Sequence, residues 1–205
     1  MLEAALLAAI EAGDDAAVRD LLTRGASVDA CTEDGWPALL FAVNEGRVEA
    51  VRALLDHGAD KDTKMTGDSA LQVAAFRGNI AIAKILIERG ADVNLRGGEG
   101  NTPLKTAAEQ GNIELARLFL DAGADPNYMG GIDGMSVLGM AADRGHPDVV
   151  RLLLDRGSNL ATRDLQYDTA LDCAWSANRH SPSELREEAI RGAMMKRGRK
   201  RYKTL

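Results

Sequence analysis

Apolar residues occur in pairs of short blocks, and these pairs repeat along the 205-residue chain. In one pair, Leu104, Ala107 and Ala108 recur at helical spacing, and a more apolar block follows at 113–120. Thr102 stands just before the first block, where its hydroxyl can accept a hydrogen bond from the first turn of a helix. The pattern therefore predicts two short helices joined by a tight turn.

Two series of glycines show that this pair is a repeat. One series marks the turn between the two blocks and comprises Gly13, Gly46, Gly78, Gly111 and Gly145. The other follows the second block and comprises Gly25, Gly58, Gly90, Gly123 and Gly157. Both series advance by 33, 32, 33 and 34 residues. A constant period in this range is typical of a protein built from stacked repeats.

The segment Thr102-Pro103-Leu104, the two alanines, the turn glycine and the Gly-Ala-Asp sequence after the second block together resemble the ankyrin repeat. The resemblance implies an all-α solenoid of about six helix-turn-helix repeats joined by short finger loops. We call the first helix of each pair the inner helix and the second the outer helix. The repeats fill residues 1–195, with modified first and last repeats as caps, and 196–205 form a basic tail that is expected to be disordered.

The chain departs from the family pattern in one respect that bears on stability. The histidine that follows the leucine in the family pattern is replaced in every repeat, by Leu40, Gln72, Lys105, Gly139 and Asp172. We expect these losses to weaken hydrogen bonding between repeats without changing the fold. Differences in repeat length fall in the fingers, where a repeat protein tolerates them.

The sequence offers little support for catalysis or for a bound cofactor. Cys31 and Cys173 lie about four repeats apart, so a disulfide between them is excluded by distance in such a stack. Neither cysteine belongs to a Cys/His cluster, so no metal site is expected. The glycine-rich strings at 96–100 and 129–134 lack the strand and the Gly-Lys-Ser/Thr ending of a phosphate loop. We therefore predict a protein that is not an enzyme, has no cofactor and has no membrane span.

The resemblance instead implies an interaction module or adaptor that binds a protein through a concave surface. In this family that surface is built from the finger tips and the exposed ends of the inner helices. The predicted partner-binding residues are Glu33, Asp34, Trp36, Glu45, Met65, Asp68, Phe76, Arg77, Glu99, Asn101, Glu109, Ile132, Asp133, Met135, Asp143 and Arg144.

The charge and polarity of this surface suggest the chemistry of its partner. Further positions on the same surface are Glu11, Ala12, Asn44, Thr66, Gly98, Gln110, Leu165, Gln166, Asp168, Ser176 and Ala177, and the full set holds ten acids and two arginines. Trp36, Phe76 and Met135 are apolar where solvent is expected, and Trp and other large apolar groups are enriched at binding hot spots. We expect a partner with a basic surface and an apolar anchor, the alternative being that each of these three folds onto a neighbouring finger.

The basic tail is open to several interpretations. It contains six basic residues and no acid, namely Lys196, Arg197, Arg199, Lys200, Arg201 and Lys203. Such a cluster is typical of a nuclear import signal or of an arm that binds nucleic acid, and it could also contact anionic lipid. It could equally be a solvated end, or fold back on the acidic surface. We expect a cytoplasmic protein, nuclear if the tail is an import signal, with nucleic acid bound only through the tail.

Overall fold

The computed structural model describes residues 1–132, 134–166, 168–170 and 172–173, and within them ten helices form five consecutive pairs. The pairs are α1 (Leu2–Ala12) and α2 (Asp15–Thr23), α3 (Ala38–Asn44) and α4 (Val48–Asp56), α5 (Ala70–Phe76) and α6 (Ile80–Glu88), α7 (Pro103–Gln110) and α8 (Ile113–Asp121), and α9 (Val137–Asp143) and α10 (Pro147–Asp155). The described residues thus have the all-α repeat fold that the pattern predicts. Strands β1 (Lys64–Met65) and β2 (Asp68–Ser69) add one short antiparallel hairpin.

The chain divides into two compact units, Met1–Gly98 and Glu99–Leu205, which we call the N-terminal and C-terminal units. In the N-terminal unit the inner helices α1, α3 and α5 pack side by side, and so do the outer helices α2, α4 and α6. In the C-terminal unit α7 packs against α9 and α8 against α10. Within each unit, every helix therefore contacts both its own partner and the corresponding helix of a neighbouring repeat.

Local sequence signals fix the ends of these helices. The Thr102 hydroxyl accepts a hydrogen bond from the Lys105 amide at 3.3 Å, and Pro103 occupies the first turn of α7. Gly111 ends the helix in the left-handed conformation, with φ of 70°. The Asn112 side chain then accepts from the Leu115 amide and begins α8. These observations confirm the helix-turn-helix predicted from the sequence.

Leucine and alanine form most of the interior of both units. Leu40 and Leu71 of the inner helices in the N-terminal unit are fully buried, as are Leu104 and Phe119 in the C-terminal unit. The small Ala107 beside them is also fully buried, and such residues let neighbouring inner helices approach closely. Close packing of this kind gives the helix ends and fingers a rigid support.

We expected weaker hydrogen bonding between repeats at the positions that lack the family histidine. This expectation was wrong at Lys105. This lysine is 1% exposed, and its ammonium group donates to the carbonyl oxygen of Gly130 in the finger of the next repeat. Gln72, at the equivalent position two helices earlier, is 4% exposed and shares a reciprocal capping box with Ser69. The Lys105 side chain therefore reaches the next repeat without a histidine, whereas the Gln72 side chain caps its own helix.

Part of the predicted sixth repeat lies outside the described residues. Its finger begins with a bridge between Arg163 and Thr169, and Ala170, Asp172 and Cys173 are helical. Residues 174–195, which complete the predicted last repeat, and the basic tail at 196–205 are outside the described part of the chain.

Candidate binding surface

The fingers are short hairpins, which hold their tips in defined positions. In the N-terminal unit β1 pairs with β2 antiparallel, and Cys31 bridges to Pro37 in the preceding finger. In the C-terminal unit Met129 bridges to Ser136 in the same antiparallel sense. A tight turn closes each hairpin, so the residues between the bridged positions form the tip.

The structure places most of the predicted finger residues at such tips, but not all of them are open to solvent. Exposed side chains are those of Glu33, Asp34, Asp68, Glu99 and Ile132. Half-buried side chains are those of Trp36, Met65, Asn101 and Met135. Asp133 lies outside the described residues.

The three apolar residues singled out in the sequence differ in exposure. Phe76, the last residue of α5, is 66% exposed, as predicted. Trp36 is half-buried, and its backbone is fixed in the finger, because its amide donates to the Thr32 hydroxyl and its carbonyl accepts from the Thr32 amide. Met135 is half-buried as well. Of the three, Phe76 is therefore the most exposed.

In the N-terminal unit, the ends of three neighbouring inner helices carry polar side chains and one exposed aromatic ring, and three of the polar residues are joined by hydrogen bonds. This inner-helix patch comprises Glu11, Asn44, Glu45, Phe76 and Arg77. The Arg77 guanidinium donates to the Asn44 amide oxygen from Nε and Nη2, at 3.0 and 2.6 Å, and the Asn44 amide donates to the Glu45 carboxylate at 3.0 Å. These bonds join α3 to α5 and fix the polar groups beside exposed Phe76.

A related arrangement occurs in the C-terminal unit. Arg144, at the end of α9, bonds the Glu109 carboxylate at 2.6 Å, and His146 Nε2 lies 2.9 Å from the Glu109 carbonyl oxygen. Asp143 beside them is half-buried. Both arginines predicted to meet a partner, Arg77 and Arg144, therefore already bind the preceding repeat.

At the outer helices too, an arginine bonds a carboxylate of the preceding repeat. The sequence analysis did not identify this contact. Arg89 bonds Asp56 in the N-terminal unit, and Arg156 bonds Asp121 in the C-terminal unit, each at 2.7 Å. In both cases the arginine stands directly before one of the periodic glycines and the aspartate two residues before the previous one. This spacing is the sequence signal from which the ion pairs could have been predicted. Each pair is partly exposed, so it contributes at most about 1 kcal/mol.

Burial and surrounding carboxylates raise the pKa of the Cys173 thiol to about 12, the carboxylates being those of Asp164, Asp143, Asp168 and Asp172. Because the thiolate is the reactive form, we expect alkylation at pH 8 to modify exposed Cys31 and spare Cys173. Mass spectrometry should find one modified cysteine in the native protein and two in denaturant. Two in the native protein would contradict this burial.

The sign of the shift also gives a pH dependence. The folded-state pKa of Cys173 lies above its ordinary value of 9.0, so folding favours the protonated thiol. The contribution to stability is fully present below pH 9 and is lost as the pH rises through about 12.

Comparison with known families identifies the repeat. A family model for ankyrin repeats matches the chain in three overlapping copies, at residues 6–97, 66–130 and 94–164. The chain therefore belongs to the ankyrin-repeat family. A comparison with curated proteins found no match. Ankyrin repeats are generally protein–protein interaction modules and generally not enzymes.

Two further observations concern the described part of the chain. No helix there is long and apolar enough to cross a membrane. No group of three or more His, Cys, Asp or Glu side chains there is placed to hold a metal ion.

Proposed function

We propose that this chain is a non-catalytic protein-binding module whose inner-helix patch contacts a partner with a basic surface and an apolar anchor. The observation that carries the proposal is the 66% exposure of Phe76 at the end of a rigid helix. The proposed module spans residues 1–195, and it serves as an adaptor in which recognition is the only activity.

Phe76 has the properties of an interface hot spot. Its aromatic ring is a large apolar surface, and burying such a ring against a partner releases water at little cost in side-chain entropy. The neighbouring Asn44 and Arg77 are held by mutual hydrogen bonds, so they need little further ordering on binding. The patch is thus preorganised around one apolar anchor point.

Charge determines the kind of partner. Glu11 and Glu45 in the patch are exposed carboxylates, and the single arginine of the patch already binds Asn44. The fingers of the same unit add exposed Glu33 and Asp34. A basic partner would meet these acids favourably, with an association rate that falls as salt increases.

Phe76→Ala is expected to weaken the complex at least about tenfold, which corresponds to about 1.4 kcal/mol of binding free energy. Immobilised wild-type and variant proteins should be compared by quantitative capture from lysate of cells that express the chain. Each captured protein is then purified and titrated. The expected partner is lost with Phe76→Ala and bound less tightly as salt rises.

Met129→Ala is the matched control, because Met129 is also exposed and apolar but belongs to the C-terminal unit and is not a predicted partner-binding residue. It should leave capture of the partner unchanged. Equal affinity of the wild type and Phe76→Ala for every captured protein would show that the inner-helix patch is not the binding surface.

A further inference from the structure

A second apolar surface lies on the fingers of the C-terminal unit. Ile132 is 81% exposed and Leu165 is 71% exposed, and they stand at the tips of consecutive fingers. The two tips are in contact, because the Leu165 side chain covers Gly134 so closely that a Cβ there would come 2.9 Å from Leu165 Cδ1. We call Ile132 and Leu165 the finger patch.

Carboxylates lie in the finger that carries Leu165 and around Cys173, which follows that finger in the chain. The Asp164 carboxylate accepts hydrogen bonds from the amides of Gln166 and Asp168 and so lies within the loop that carries Leu165. Asp143, Asp168 and Asp172 are close enough for their charges to act on the Cys173 thiol, as does Asp164. Arg163 is the basic group that acts on Asp172. This part of the C-terminal unit is therefore acidic.

The chain contains a segment with the complementary chemistry. Residues 196–205 hold six basic residues and no acid, and Tyr202 and Leu205 are apolar and three positions apart. This is the combination that an apolar pair bordered by carboxylates would bind. The segment differs in this respect from the acidic remainder of the chain, which has 19 basic and 31 acidic residues.

We propose that the basic tail, residues 196–205, docks on the finger patch of its own chain, with Tyr202 and Leu205 on Ile132 and Leu165 and the basic side chains toward the surrounding aspartates. The 22 residues from 174 to 195 connect Cys173 to the tail. A connection of that length reaches roughly 33 Å as a helix or roughly 26 Å as a coil, so either conformation allows the contact.

The contact has a consequence for the tail. While docked, its basic side chains face carboxylates and are withheld from other anions. Nucleic acid or an anionic membrane would then have to compete with the finger patch for the tail. The inference does not depend on the inner-helix patch, which belongs to the other unit.

Paramagnetic relaxation in the full chain tests the proposal. A nitroxide is attached at Thr204→Cys in a Cys31→Ser background, and Cys173 is not labelled because its thiol is buried and protonated. We expect loss of amide signal intensity at Leu165 and Gln166 and none at Asp34. The loss of signal intensity should disappear at about 1 M salt, because screening then reduces the range of charge interactions to about 3 Å.

Two double variants separate a specific contact from general attraction. Asp143→Asn with Asp168→Asn removes two of the carboxylate charges that act around Cys173, and the signal loss at Leu165 should fall. Glu114→Gln with Asp148→Asn removes the same charge from the outer helices α8 and α10 of the same unit, and the signal loss should persist.

Each remaining outcome would overturn the proposal. The tail does not dock here if the signal loss is absent, if it falls equally in both double variants, or if it appears at Asp34 instead. A final experiment mixes two preparations of the protein. The first carries the nitroxide and no isotope label, and the second carries the isotope label and no nitroxide. Signal loss in the second species would mean that the tail binds another copy, which contradicts docking on its own chain.

Discussion

Replacing Gly67 by alanine is expected to destabilise the N-terminal unit by about 3 kcal/mol or more. Gly67 has φ of 99°, where an L side chain costs about 1–2 kcal/mol by itself. A Cβ there would also overlap the Gly98 Cα in the next finger and lie 2.6 Å from the Gly98 nitrogen. Because both contacts are with backbone, neither can be relieved by a rotamer change. Urea denaturation followed by circular dichroism measures the loss.

Gly58→Ala separates the two contributions. Gly58 has φ of 91°, close to that of Gly67, but a Cβ there would meet no atom within 4 Å. It should therefore cost only the conformational strain of about 1–2 kcal/mol. Equal losses of stability in the two variants would mean that the fingers are not packed backbone to backbone.

Phe119→Ala is expected to lower the free energy of unfolding by about 3–5 kcal/mol, since it removes a fully buried ring and leaves a cavity. Phe76→Ala makes the same chemical change at a side chain that is 66% exposed, and it should cost less than about 0.5 kcal/mol. Thermal and chemical unfolding of both variants measures the contrast. A large loss in Phe76→Ala would mean that Phe76 supports the fold, and its effect on binding would then need another explanation.

Much of the fold could be predicted because its signals are local. Thr102 and Pro103 begin a helix and Gly111 ends it through contacts within one turn, so the residues alone suffice to place these boundaries. The period of the glycines then shows that the same element recurs. Agreement between local signals and the repeat explains why the helix-turn-helix was predicted without coordinates.

The candidate surface was less predictable because exposure depends on the neighbouring repeat. Trp36 and Phe76 are both large, apolar and at predicted surface positions, yet Trp36 is half-buried while Phe76 is 66% exposed. Arg77 was predicted to meet a partner, but Asn44, 33 residues earlier, already binds it. The sequence did not distinguish Leu165 from the other finger positions, and only the structure shows that it contacts Gly134 in the preceding finger.

Lys105 is another residue whose contacts the sequence did not predict, but here the structure shows a hydrogen bond where the sequence predicted its loss. A lysine is usually solvated, and its presence at a family histidine position predicts a lost hydrogen bond. Burial of its side chain with the ammonium group on the Gly130 carbonyl restores that bond across 25 residues. The Gly130 carbonyl that accepts it belongs to a finger whose path the sequence does not specify.

The amino-acid sequence by itself determined the repeat, the helix boundaries and membership of the ankyrin-repeat family, because capping, turn formation and apolar periodicity act over a few residues. The tertiary structure decided which side chains are open and which are occupied by a neighbouring repeat. That outcome depends on contacts between residues about one repeat apart, such as those of Arg77 with Asn44 and of Lys105 with Gly130.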